Sequence, residues 1–162
     1  EKNNYILYLG RIVPEKGEHY LIEAFKRIDT DKKLVIAGGS SDTSIYMNKL
    51  KKMASEDERI IFTGFVQGKM LEELYSNALI YCLPSDLEGM PLSLLEAMSY
   101  GNCCLTSNIS ECAEVVEDKA VTFEKGNVNE LKKKIEWLLS HEEEIKKYKK
   151  QATDFILSLI HI

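Results

Sequence analysis

The chemistry of this sequence concentrates between Ser85 and Met98, where two carboxylates, Glu88 and Glu96, stand eight positions apart. The first adjoins Gly89 and shortly precedes Pro91; the second lies inside an apolar pattern of Leu92, Leu95 and Met98. That pattern reads as a helix, and proline suits its first position, where the missing N–H costs nothing. A glycine-relaxed loop feeding a helix N-terminus offers amide groups and the positive end of a dipole to an anion. One carboxylate sits at the mouth and the other about one and a half turns into the helix, which suits a phosphate-linked polyol. Arg11 and Lys16 point the same way. They flank a short loop ahead of a helix that begins near Gly17, and cations there oppose the helix dipole unless an anionic ligand compensates. Arg can grip phosphate oxygens in a bidentate way while Lys acts as a point charge. The alternative is surface pairing with Glu15 or Glu18.

Positioning these groups falls to an alternation of short apolar runs and helical patterns. Strand-like runs occupy Tyr5–Leu9, Leu34–Ala37, Ile60–Phe62, Leu79–Leu83, Cys103–Thr106 and Ala120–Phe123. Helical patterns follow each one, at Glu18–Ile28, Ser44–Met53, Lys69–Ser76, Pro91–Tyr100, Glu111–Glu117 and Val128–Leu139. The alternation predicts an α/β domain: a doubly wound, Rossmann-like, mostly parallel sheet with helices on both faces. Ligands of such sheets bind outside the carboxyl ends of the strands. By that rule Gly10-Arg11, Gly38-Gly39, Gly64-Phe65 and Glu88-Gly89 line one rim, and Asp29-Thr30-Asp31 lies at the opposite end. Gly38-Gly39 permits close backbone approach, although the full G-x-G-x-x-G fingerprint is absent. The lysine-rich stretches 132–134 and 146–150 read as solvated helix faces.

Glu88-Gly89-x-Pro91-x-x-x-x-Glu96, continued by Ala97-Met98 and Gly101, resembles the E-x7-E signature of the retaining glycosyltransferases of family four (group 1), which have the GT-B fold. Further segments match in order: Gly10 to Gly17, Ile36 to Gly39, Ile61 to Val66, and Ser107 to Val116. The resemblance spans residues 5–140 and corresponds to the C-terminal, donor-binding half of such enzymes. It implies that Arg11 and Lys16, with Gly10 beside them, bind the nucleotide diphosphate and stabilise it as it leaves. It implies that Glu96 binds the ribose and Glu88 the donor sugar, so that Glu88, Arg11 and Lys16 are the catalytic candidates. Backbone groups around Gly89, Met90, Pro91 and Leu92 are expected to face sugar and phosphate, and Gly38, Gly39, Phe65 and Val66 to surround the nucleotide. Phe65 as a plain core aromatic stays open. One departure stands out: Ser110-Glu111-Cys112 occupies a segment where many members carry paired glycines.

The implied function is the donor half of a cytoplasmic, retaining enzyme of polysaccharide biosynthesis. It would transfer a hexosyl group from a nucleotide sugar, a UDP-sugar ahead of a GDP- or ADP-sugar, to an acceptor sugar or lipid-linked sugar. The acceptor would be held by an N-terminal domain absent from this sequence, and the intact enzyme could sit peripherally at the inner face of the membrane. The chain alone is expected to bind without turnover. No cofactor is expected, and no metal: Asp29-Thr30-Asp31 satisfies a D-x-D pattern but on the wrong rim, and Arg11, Lys16 and the helix dipole supply the positive charge. The alternatives are a non-catalytic Rossmann-like interaction module and a nucleotide-sugar epimerase or phosphorylase of the same fold.

Composition agrees with this class. The 162 residues, 44% hydrophobic and 29% charged, suffice for one well-buried core, and a net charge of −5 argues against a nucleic-acid surface. Cys82, Cys103, Cys104 and Cys112 form no C-x-x-C pair and read as small core residues of a reducing compartment. No apolar run approaches a membrane span of about 20 residues. The sequence opens at Glu1 without an initiator methionine and shows no signal-peptide pattern, and it is expected to be a piece of a longer protein. Its domain is expected over residues 1–157, with 158–162 resembling translated adapter sequence more than a native helix.

Overall fold

The computed structural model describes residues 2–40 and 44–160 of the chain. Its centre is β1 (Tyr5–Leu9), whose five residues are all buried, as expected of a strand covered on both faces. Around it lie β2 (Lys33–Ala37), β3 (Ile60–Gly64), β4 (Ile80–Leu83), β5 (Cys104–Ser107) and β6 (Val121–Phe123). The sheet order is β3-β2-β1-β4-β5-β6, and every adjacent pair is parallel. The order reverses between β1 and β4. That is the switch point at which doubly wound sheets open a crevice.

Among the described residues seven α-helices connect or cover these strands: α1 (Glu18–Lys26), α2 (Ser44–Ala54), α3 (Gly68–Asn77), α4 (Leu92–Ser99), α5 (Ser110–Val116), α6 (Val128–Leu139) and α7 (Glu142–Ile160). α1 buries Leu21, Ile22, Ala24 and Phe25 against the sheet. α6 buries Leu131, Ile135 and Leu138, and its N-terminus is capped by Asn127, whose Oδ1 accepts the Glu130 N–H at 2.9 Å. Each of the twelve elements expected from the sequence is present, with ends displaced by no more than two residues. All four thiols are buried and free.

Three details differ from the sequence reading. Pro91 precedes α4 as its cap instead of opening it: its φ of −78° and ψ of 70° make an inverse γ-turn, closed by the Leu92 N–H on the Met90 carbonyl at 2.8 Å. Lys149 belongs to no solvated face. It is half-buried on α7, where Nζ donates to Asn3 Oδ1 at 3.1 Å and to the Ala78 carbonyl at 3.0 Å, and burial lowers its pKa. Finally, α7 is a single helix of 19 residues that runs past Leu157 to Ile160. Ser158–Ile160 of the expected tail therefore continue it, while residues 161–162 lie outside the described part. Among the described residues no helix is long and apolar enough to cross a membrane.

Candidate functional site

The strand ends that converge at the switch point are laced together by backbone hydrogen bonds. The Gly38 N–H donates to the Gly64 carbonyl, the Gly10 N–H to Ala37, and the Ile12 N–H to Gly39, at 3.0, 3.0 and 3.1 Å. The Asp86 N–H donates to the Glu15 carbonyl at 2.8 Å, joining the loop after β4 to the loop after β1. These bonds require close backbone approach. A Cβ on Gly38 would overlap the Gly10 carbonyl oxygen, and φ there is +147°, a region that side chains disfavour.

Beyond this lacing opens a cavity of about 510 Å³, lined by Gly10, Arg11, Gly38, Gly39, Phe65 and Val66 together with Leu9, Ser40 and Leu71. Such a volume falls in the range of small-molecule sites. The structure thus brings together the residues expected on the rim from the first three strand ends except Gly64, which meets Gly38 through its carbonyl but does not line the cavity. Phe65 is 74% exposed while Val66 is buried, so Phe65 is a wall of the cavity and not a core aromatic. Arg11 is exposed at the lip, and among the described residues its guanidinium has no ion-pair partner.

Lys16 lies deeper. It ends a 3₁₀ turn (Pro14–Lys16) and is followed by Gly17 in the left-handed conformation, packed so tightly on Pro84 that a Cβ would overlap the Pro84 carbonyl. Its Nζ contacts Oε1 and Oε2 of Glu88 at 2.8 and 2.7 Å. Neither Glu15 nor Glu18 pairs with it. Glu88 is itself buried, its side chain 3% exposed, and the Ser85 hydroxyl donates to Oε2 at 2.6 Å. Ser85 is in turn held through its carbonyl by the Ser107 hydroxyl of β5 at 2.6 Å. A carboxylate has room for about four hydrogen bonds; here Oε2 has two partners and Oε1 one.

The following loop exposes Gly89, Met90 and Leu92, with Met90 and Leu92 64% and 67% exposed. The Leu92 N–H is engaged by the γ-turn at Pro91, which removes one of the amides expected to face a ligand. α4 is then tied to the sheet by Tyr81, whose hydroxyl lies 3.2 Å from the Leu9 carbonyl and 3.0 Å from Ser93 Oγ. On this fixed helix Glu96 is exposed, and its carboxylate has no hydrogen-bond or ion-pair partner among the described residues. Neither Glu88 nor Glu96 lines the 510 Å³ cavity. The candidate site therefore has two parts, a cavity over β1–β3 and a carboxylate-bearing loop over β4, with the Arg11–Lys16 segment between them.

α5 brings the unusual Ser110-Glu111-Cys112 segment within electrostatic reach of the pair. Burial pushes the Cys112 thiol up to about 11, and the charges of Glu88, Glu111 and Lys16 all reach it. Asp29-Thr30-Asp31 is the α1–β2 turn at the opposite end of the sheet. It is held there by the Arg59 guanidinium, which donates to the Ile28 and Thr30 carbonyls at 2.7 and 3.0 Å.

Two contributions escaped the sequence reading. Ser85 carries no role in the sequence reading, although a small hydroxyl three positions before Glu88 is well placed to meet its carboxylate. Glu18 enters the sequence reading only as an alternative surface partner for Arg11 or Lys16, yet it occupies the apolar stripe of α1 at helical spacing from Leu21, Ile22 and Phe25 and is fully buried.

Comparisons with known proteins follow the same lines. The family model described as "Glycosyl transferases group 1" matches residues 1–155. An uncharacterized glycosyltransferase of Methanocaldococcus jannaschii, MJ1607, is 35% identical over 114 residues, 69% of this chain and 29% of the relative. The O-antigen chain mannosyltransferase B of Escherichia coli is 28% identical over 129 residues, 77% of this chain and 34% of the relative. The chain thus spans well under half the length of these curated relatives. Among solved structures, Anabaena Alr3699/HepE in complex with UDP and glucose superposes with a TM-score of 0.88 at 19% identity, over 96% of this chain and 44% of that one. The C-terminal domain of the group 1 glycosyl transferase LpcC from Francisella tularensis gives 0.85 at 23% identity, over 95% and 84%. The likeness to these structures is one of fold: the Rossmann-like half of a GT-B enzyme.

Proposed function

This chain belongs to the group 1 glycosyl transferases, and on that premise we propose that it is the donor half of a retaining, metal-independent enzyme that uses a UDP-sugar. The observation that carries the reading is the rim itself. A cavity large enough for a nucleoside meets, at Arg11, a loop whose buried carboxylate is already held by a lysine. The base and ribose would lie against Phe65, Gly38 and Gly39, with Glu96 on α4 accepting from the ribose hydroxyls. The diphosphate would meet Arg11 and the third proton of the Lys16 ammonium, two of whose protons face Glu88. Oε1 of Glu88 keeps capacity for a sugar hydroxyl. As the glycosidic bond breaks, charge collects on the departing diphosphate, and fixed cations in a partly desolvated loop lower that barrier.

The acceptor would be bound by a second domain facing this rim, and the exposed Leu87, Met90 and Leu92 suit such an interface. Calorimetric titration with UDP, a UDP-sugar and uridine tests the reading. UDP and the UDP-sugar should bind and uridine should bind far more weakly. Absence of binding by all three would leave a non-catalytic module as the better account. Product analysis on an enzyme comprising both halves decides whether a hexosyl group is transferred with retention.

A further inference from the structure

Glu18 is fully buried at the first turn of α1, and no cation pairs with it among the described residues. Its Oε2 accepts the Val13 N–H at 3.3 Å, and its Oε1 lies 3.2 Å from the Tyr46 hydroxyl. That hydroxyl is 2.7 Å from His19 Nδ1 and also receives the His19 backbone N–H at 3.3 Å. Tyr8, whose side chain also interacts with the Glu18 carboxyl, donates its hydroxyl to the Arg11 carbonyl at 2.6 Å. Two bonds therefore fix the backbone on either side of Ile12, one to Arg11 and one to Val13, and Glu18 supplies the second.

The chain Glu18–Tyr46–His19 can carry its protons in two directions without moving an atom heavier than hydrogen. With Glu18 ionised, Tyr46 donates to the carboxylate and His19 Nδ1–H donates to Tyr46. With Glu18 protonated, its hydroxyl donates to Tyr46, Tyr46 donates to an unprotonated His19 Nδ1, and the other carboxyl oxygen still accepts from Val13. The loop that presents Arg11 keeps its geometry in both states. Only the charge beneath it changes.

We propose that Glu18 is a positioning residue of the donor site whose carboxyl takes up one proton when the diphosphate binds. The proposal rests on the donor-site reading above. A negative charge buried two residues from Lys16, and hydrogen-bonded two residues after Arg11, opposes an anion there with little solvent to screen it; protonation removes the opposition while the contacts to Tyr46 and Val13 persist. Burial raises the Glu18 pKa to about 7 even against its own amide, Tyr46, Tyr8 and Val13, all of which favour the ion. A nearby diphosphate raises it further. Other groups face the same space: Glu23 on α1, Lys49 on α2, and Asp86 and Glu88 after β4. Glu88 is balanced by Lys16. His19 is held below its ordinary value, first by burial and then by Lys49, so it stays neutral above pH 7. The balance is simple: one proton leaves solvent for the Glu18 carboxylate, and no covalent bond to carbon changes.

The test uses a UDP-sugar, whose phosphates are both esterified and do not titrate near neutrality. Binding at pH 8 is measured by calorimetry in two buffers of different ionisation enthalpy, and affinity is followed from pH 6.5 to 9. The unaltered chain should take up a fraction of a proton and lose roughly five- to tenfold in affinity over that range, the size expected for a shift of about one pKa unit. Glu18→Gln, whose amide mimics the neutral acid, should bind at pH 9 as the unaltered chain does at pH 6.5, without proton uptake. Zero uptake by the unaltered chain, or uptake and slope retained in Glu18→Gln, overturns the proposal. The first result needs no variant, so a folding defect in Glu18→Gln cannot obscure it. No binding at any pH would sink the donor-site reading itself, and this proposal with it.

Discussion

Lys16 and Glu88, 72 positions apart in the sequence, meet through both carboxylate oxygens at 2.8 and 2.7 Å. The lysine is 18% exposed and the carboxylate 3%, so each would be poorly solvated if the other were removed. Breaking such a pair is far more harmful than replacing it, because what remains is a buried, unpartnered charge. Lys16→Ala should therefore destabilise the fold, by up to about 3 kcal/mol. The double variant Lys16→Met/Glu88→Gln should recover much of that loss. Urea denaturation of the three proteins checks this, and a double variant no more stable than Lys16→Ala would show that the pair is not the cause.

Arg11 offers the opposite case. Its side chain is exposed, so Arg11→Ala should change stability by less than about 0.5 kcal/mol. UDP affinity should fall by about 1.5–3 kcal/mol, the range for hydrogen bonds to a charged group, with the loss shrinking as salt is added. Uridine supplies the control. Equal losses for uridine and UDP would contradict a diphosphate role.

Glu96 and Glu88 should separate in the same assay. Glu96→Gln, on an exposed side chain, should leave the urea midpoint unchanged while weakening UDP and a UDP-sugar alike, since both carry the ribose. Glu88→Gln should weaken the UDP-sugar selectively, and it should also lower stability through Lys16 and Ser85. A Glu96 variant that binds UDP normally would remove Glu96 from the ribose.

The paired glycines differ in what they tolerate. At Gly38 a Cβ meets the Gly10 carbonyl and φ is +147°, so Gly38→Ala should cost at least about 1–3 kcal/mol from backbone strain alone. At Gly39 the nearest atom to a Cβ is that of Phe65 at 3.5 Å, an ordinary contact. Gly39→Ala should fold normally and report only on the cavity it narrows. Thermal midpoints and UDP titrations on both would show whether the two effects divide in this way.

Glu18 also makes a prediction for stability. Its pKa rises from an ordinary 4.5 to about 7 on folding, so between those values the folded state binds more protons than the unfolded one. Stability from this group is complete below pH 4.5 and is lost as pH rises toward 7. The loss is on the order of 3 kcal/mol for a shift of this size. Glu18→Gln should then be more stable than the unaltered chain at pH 8 and should lose that advantage by pH 4.5. Denaturation at the two pH values tests the sign.

Much of this architecture was legible because the signals were periodic. The apolar runs of β1 and β4 and the stripes of α1 and α6 needed only local reading, and the strand-end rule then placed Gly10, Gly38, Phe65 and Glu88 on one rim. What stayed hidden depends on contacts between distant segments. The partner of Lys16 lies after β4, while Glu15 and Glu18 stand beside it in sequence and do not pair with it. Lys149 looks solvated within its lysine run until α7 folds it over the Ala78 carbonyl. The φ of Pro91 suits a first helical position, but its ψ of 70° depends on the turn that links loop to helix. Glu18 was the avoidable miss, since its spacing from Leu21, Ile22 and Phe25 already placed it on the buried face.

The strand order carries a further consequence. β1 pairs with β4 at Ile6–Ile80 and Leu7–Tyr81, so the loops bearing Lys16 and Glu88 adjoin only when the middle of the sheet is closed. A ligand gripping both loops acts as a fastener across that seam. No partly opened molecule can hold it, so its binding energy is added to the cost of global opening. The amides of β1 and β4, remote from any direct contact with the ligand, should therefore be the ones whose hydrogen exchange it slows most.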